Sequence, residues 1–170
     1  MKHLAILILL FAPLGLLAAG PDAQADGAMV SLSVADAGPR HIESTLQQSI
    51  SRDYKSAWQT LNQSLQTGNP EALNQYWVGT AFDKFKQLVA DESRTGVQVR
   101  YLDKSHRLQA VFYPIDGAAM LLHDDAEVEV QVLQSGKVIH SESLTQHYVV
   151  LMTPAQDRWM VRVFQSAAAQ

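Results

Sequence analysis

From Ile42 onward, apolar residues recur every three or four positions. Ile42, Leu46, Ile50, Tyr54, Trp58, Leu61 and Leu65 make one stripe, and Gln47, Gln48, Ser51, Arg52, Lys55, Gln59, Asn62 and Gln63 fill the other face. That period predicts an amphipathic helix of about six turns lying across an apolar surface. Gly68-Asn69-Pro70 ends it, since Asn69 suits an N-cap and Pro70 the first position of a new helix. The second helix is short and carries Leu73, Tyr76 and Trp77 inward, and Gly79 breaks it. Thr80 is expected to cap a third helix with Ala81, Phe82, Phe85, Leu88 and Val89 on its apolar side, closed by Gly96.

After Gly96 the period changes to two. Residues 97–113 are rich in β-branched and aromatic side chains, with an interruption at Asp103-Lys104-Ser105, and Pro114-Ile115-Asp116-Gly117 makes a turn. Strands over 118–134, 137–153 and 158–164 follow, separated by turns at Ser135-Gly136 and at Pro154 to Asp157. Connections this short make neighbouring strands antiparallel. Strands longer than the usual five or six residues require bulges and curvature. The fold class expected is therefore α+β: three N-terminal helices packed on the concave face of a strongly curved, four-stranded antiparallel sheet, a cone. Trp159 alternates with Val161 and Val163 in the last strand and is expected to be buried.

The first 25 residues carry a different signal. A basic start at Met1-Lys2-His3, an apolar run from Leu4 to Ala19 and the Ala23-Gln24-Ala25 site have the order of a cleavable signal peptide. The run is too short for a spanning helix and is interrupted by Pro13 and Gly15. The expected location is thus extracytoplasmic, periplasmic or secreted, with membrane contact only through an uncleaved signal segment. Residues 26–39 are small and weakly periodic, which reads as a flexible arm; 40–166 form the domain and 167–170 a tail.

Composition narrows the chemistry. With no cysteine, the chain has no disulfide, thiolate metal site or thiol nucleophile. A net charge of −4 without a basic block gives no electrostatic reason to bind nucleic acid. Five histidines lie after the signal segment, His41, His106, His123, His140 and His147, and none shows a metal-ligand spacing. The expectation is no metal, no cofactor and histidines scattered on the surface.

The segment YKSAWQTLNQSLQTGNPEALNQYWVGTAFDKF (Tyr54–Phe85), followed by hairpins and the ending DRWMVRVF (Asp157–Phe164), resembles the nuclear-transport-factor-two-like superfamily. Within it, the nearest pattern is the variant domain of bacterial envelope proteins and of the intermembrane-space end of chloroplast-division proteins. The resemblance spans roughly residues 40–165. It implies a pocket between the first helix and the sheet, on a fold that hosts enzymes, binding modules and assembly domains alike.

Strand parity singles out the candidate residues. Met120, Leu122, Ala126, Val128, Val130 and Val132 share one face, and Asp124 falls on it. A desolvated carboxylate there is a candidate base, with Tyr54, His140 or Tyr148 as hydrogen-bond donors, as in an isomerase or cyclase. The alternative is a bulge at Asp124-Asp125 that lets both side chains reach water, which the general exposure of paired acidic residues favours. In the next strand His140, Glu142 and Gln146 interrupt the apolar parity of Val138, Leu144, Tyr148, Val150 and Met152. The opposite face, with His147, Val149 and Leu151, grades from polar to apolar. The leading expectation is an exported, non-catalytic binding or assembly module that meets a protein partner or a second copy through this open sheet face near Val149 and Leu151. A small apolar ligand in the cone, or the isomerase-type enzyme, is the alternative.

Overall fold

In the computed structural model, residues 28–35 and 37–167 are described; the signal-peptide reading falls outside them. Helix α1 spans Ser44–Thr67 and buries Ile50, Tyr54, Ala57, Trp58, Leu61 and Leu65. It stops at Gly68, whose φ of 66° lies in the left-handed region that glycine enters without Cβ strain. Asn69 then accepts from the amide of Glu71 and opens a two-turn 3-10 helix over Pro70–Gln75. Helix α2, Gly79–Thr95, buries Ala81, Phe85, Val89 and Glu92 and ends at Gly96.

The sheet has five strands in sequence order: β1 (Met29–Ser33), β2 (Val97–Phe112), β3 (Met120–Gln134), β4 (Lys137–Pro154) and β5 (Trp159–Ser166). Neighbours from β2 to β5 are antiparallel, whereas β1 lies parallel to β2, Met29 opposite Ser105 and Ser33 opposite Gln109. Two expectations are thereby corrected. The sheet is mixed and five-stranded, because Val30 and Leu32 alternate with Ser31 and Ser33 and Leu32 reaches the core. The second of the three expected helices is the six-residue 3-10 turn, because Tyr76 leaves helical geometry so that Tyr76–Val78 can bond the free edge of β5. Val161 donates to the Tyr76 carbonyl and Val78 to that of Val161.

One face of the sheet, here the inner face, packs under the helices. It carries Leu108, Ala110, Met120, Leu122, Ala126, Val128, Val150, Met152, Trp159 and Val161, all buried. The register slips between Asp103 and Ser105, Ala110 and Phe112, Val132 and Leu133, and Leu151 and Met152, each slip re-aiming the residues beyond it. The carboxylate of Asp53 fixes α1 to the start of β5 by accepting from the Trp159 amide at 2.8 Å. The Trp77 indole donates to the Ala57 carbonyl at 2.9 Å and docks the 3-10 segment onto α1.

Candidate functional site

Asp124 sits on the inner face of β3, is completely buried, and faces α1. Its Oδ2 accepts two hydrogen bonds, from the Tyr54 hydroxyl at 2.7 Å and from His106 Nδ1 at 2.8 Å. Tyr54 reaches it because it lies on the apolar stripe of α1, and Tyr148 is its cross-strand neighbour on β4. The alternative of a solvated Asp124-Asp125 bulge does not hold: no register slip occurs there, and only Asp125 faces out, toward His147. Asp124 and Tyr54 thus come together with Tyr148 beside them, as the candidate-base reading required. His140 does not, since it lies toward the far end of β4, 62 % exposed, against Glu142 at 3.6 Å.

His106 was expected on the surface and is 1 % exposed. The slip between Asp103 and Ser105 is the reason. It places Asp103 opposite Val128 and His106 opposite Ala126, so two residues three apart in sequence both face inward. The interruption visible at Asp103-Lys104-Ser105 was the signal that marked the change of parity. His106 Nε2 then lies 4.0 Å from Asp103, whose other oxygen accepts from Asn62 of α1 at 2.9 Å. The result is two hydrogen-bonded groups between helix and sheet, Tyr54–Asp124–His106 and Asp103–Asn62, with His106 Nε2 and the facing Asp103 oxygen unbonded to each other.

Aromatic rings close around these groups. Trp58 lies over the His106 ring with centroids 4.8 Å apart and touches Tyr101, Tyr148 and Phe164 at 5.9, 6.0 and 5.6 Å. Tyr148 and Phe164 lie 4.4 Å apart. Burial and the Asp124 charge hold the Tyr54 hydroxyl well above its ordinary pKa, and burial does the same for Tyr148. Among the described residues there is no cluster of three or more His, Asp or Glu side chains able to hold a metal ion.

Asp103 titrates unusually. Burial pushes its carboxyl from 3.8 up to about 6, against the opposing pull of His106 and the Asn62 hydrogen bond. The folded chain therefore keeps a proton that the unfolded chain has released, and the group weakens the fold as pH rises. Its penalty is absent below about pH 4, grows through the interval to about 6, and is complete above it, at roughly 2–3 kcal/mol. Asp103→Asn should remove this slope. Urea unfolding at pH 4 and pH 7.5 should show the variant gaining that amount on wild type as pH rises, and a pH-independent difference would mean Asp103 titrates as an ordinary carboxylate.

The residues expected to bind a partner divide between the two faces. Val149, Leu151 and His147 lie on the outer face; Glu142 is exposed beside His140, and Gln146 lies opposite Ala126 on the inner parity. Register extends the outer patch beyond Val149 and Leu151. Phe112 stands opposite Leu121, Leu121 opposite Leu151, and Leu151 opposite Val163, a row across four strands. Phe112 is 47 % exposed, and Leu121, Leu151 and Val163 are half-buried. Phe112 escaped the sequence reading because the slip after Ala110 turns it outward.

No family model matches this chain, and no curated protein matches it. Among solved structures, the intermembrane-space region of the chloroplast protein ARC6 superposes with a TM-score of 0.62 at 12 % identity, covering 77 % of this chain and 100 % of that one. At that identity the likeness establishes a shared fold.

Proposed function

We propose that this chain is a non-catalytic assembly module that works outside the cytoplasm and pairs with a second copy of itself through the outer face of its sheet. The observation that carries the reading is the apolar row Phe112–Leu121–Leu151–Val163, flanked by Val149, on the face opposite the helices. Apolar patches on a sheet face that no helix covers mark interfaces on soluble domains. Self-pairing is favoured because the charges around the row are already matched within the face. Arg107 bonds Glu127 at 2.7 Å, His147 bonds Asp125, and Lys104 lies 3.9 Å from Glu129. Two such faces can meet about a twofold axis without opposing unpaired like charges.

Export is supported by the Met1–Ala25 pattern, and a fold shared with an intermembrane-space region is compatible with it. The same element order supports membership of the nuclear-transport-factor-two-like superfamily. A catalytic use of Asp124 has the Tyr54 and His106 bonds in its favour but needs the aromatic packing above them to open.

The interface reading has a direct test. Val149→Lys with Leu151→Lys should leave a folded monomer while wild type sediments as a dimer, the paired lysines replacing apolar contact with repulsion. A wild-type monomer at high micromolar concentration, or an unchanged dimer in the variant, would sink it.

A further inference from the structure

Three of the sheet's four open edges carry a cap. On β1, Gln47 bonds the Leu32 carbonyl. Beyond β1, the edge of β2 is met by Glu92, whose carboxylate accepts from the Val99 amide at 2.9 Å. Along β5, the segment Tyr76–Val78 bonds Val161, and Thr80 and Lys84 bond the carbonyls of Arg162 and Phe164. The fourth edge is the first half of β4. Because β5 pairs with β4 only from Tyr148 to Pro154, nothing among the described residues pairs with the other side of β4 from Lys137 to Gln146. Lys137 to Ser143 are all exposed, and Val138 and Ile139 are among the large apolar side chains that stand in solvent.

The main-chain groups of this stretch point outward in a set order. The His147 carbonyl accepts from Ala167, just past the end of β5, so alternation aims the amides and carbonyls of Thr145, Ser143 and Ser141 to the same side. The slip that sets His140 opposite Val132 and Val138 opposite Leu133 turns Val138 to that side as well. Edges of this length are usually blunted by proline, lysine or a bulge. Here Lys137 and the bulge at Ile139 lie at the tip, and Ser141 to Thr145 carry none of the three. Such a row of unpaired donors and acceptors is a template for another strand. We propose that two copies of the chain join along this edge, antiparallel about a twofold axis at Ser141, so that their sheets become one.

The strand is complementary to itself in that register. Ser141 stands opposite its equivalent, Glu142 opposite His140 and, past the bulge, Ser143 opposite Val138. His140 and Glu142 of one copy already lie 3.6 Å apart, so pairing sets two imidazoles and two carboxylates in alternation. An axis at Glu142 would instead oppose two carboxylates. The main chain of Val138, Ser141 and Ser143 then exchanges about six hydrogen bonds between the copies. The partner's Ser135-Gly136 turn ends opposite Thr145 and Gln146, short of the place where Ala167 meets His147. The contact lies at the side of the sheet and does not depend on the outer-face row; copies using both would form an open chain. It buries little apolar surface, so a dissociation constant of about 1 mM is expected.

The test is amide hydrogen exchange of the full chain at rising concentration. Between about 20 μM and about 1 mM the amides of Val138, Ser141 and Ser143 should slow roughly twofold, while those of Glu142 and Leu144, which face β3, keep their rates. Ser141→Pro removes only an amide that faces away from β3, a place where an edge strand tolerates proline, and should abolish the effect at Val138 and Ser143. His140→Glu, at an exposed position, sets four carboxylates together and should do the same, which serves if the proline disturbs the strand. His140→Lys keeps a cation opposite Glu142 and should retain the effect. Val149→Lys with Leu151→Lys should leave it unchanged, so this contact and the outer-face contact stand or fall separately. Protection that does not vary with concentration would give the edge to the chain's own residues 168–170, and free exchange at every concentration would leave it to a strand of another protein. Either result, or an effect that survives both Ser141→Pro and His140→Glu, overturns the proposal.

Discussion

Asp124→Ala is expected to destabilise the domain by about 2–6 kcal/mol, since it leaves two buried donors without their acceptor at roughly 1–3 kcal/mol each. The magnitude follows from what the carboxylate leaves behind. Tyr54 loses the acceptor of its hydroxyl, and His106 loses the partner of Nδ1, both in surroundings from which water is excluded. Tyr54→Phe should cost less, about 1–2 kcal/mol, since it removes one donor and leaves Asp124 still bonded to His106. The triple change Asp124→Leu, His106→Leu and Tyr54→Phe should recover much of the loss, because no polar group of that trio is left unmatched. Urea unfolding of the four proteins measures these differences. A cost below about 1 kcal/mol for Asp124→Ala, within the range of ordinary surface substitutions, would show that the network contributes little, and additive losses in the triple variant would show that its members act separately.

Strand parity predicts which face a side chain takes only as far as the strand is unbroken. Within an uninterrupted strand it works: Asp124 lies on the same side as Leu122 and Ala126 and is buried with them, and Val149 and Leu151 lie on the other side. Across a bulge it fails. His106 and Phe112 each follow a slip in β2, and each faces opposite to what unbroken alternation predicts. A bulge is set by how two strands meet, so one strand's composition gives only a hint of its place, here the polar triplet Asp103-Lys104-Ser105.

The missed strand β1 has a related cause. Of its five residues only Val30 and Leu32 are apolar on one parity, too few to declare a period, and its partner residues begin at Ser105. Parallel pairing over that separation leaves no turn signature beside the strand. Helices α1 and α2 were legible because each repeats its apolar stripe over several turns and ends at a glycine.

Trp58→Ala is expected to cost about 3–5 kcal/mol, the range for truncating a large buried aromatic. Trp58 is buried among five rings, and its removal takes away the packing of His106, Tyr101, Tyr148 and Phe164 together. Four of the neighbouring rings sit on β2, β4 and β5, whose backbones are fixed by the sheet, so collapse into the space should be partial and a cavity should remain. That cavity would lie where a cone ligand or substrate would have to sit to reach Asp124. Indole added to Trp58→Ala should therefore restore part of the lost stability by binding the folded state alone, with a midpoint that rises with indole concentration. Wild type, whose own indole fills the place, should not respond. Denaturant midpoints with and without indole decide the matter. Stabilisation of wild type by indole would mean that the interior is already open to a ligand, and the catalytic use of Asp124 would then become the stronger account of the buried groups.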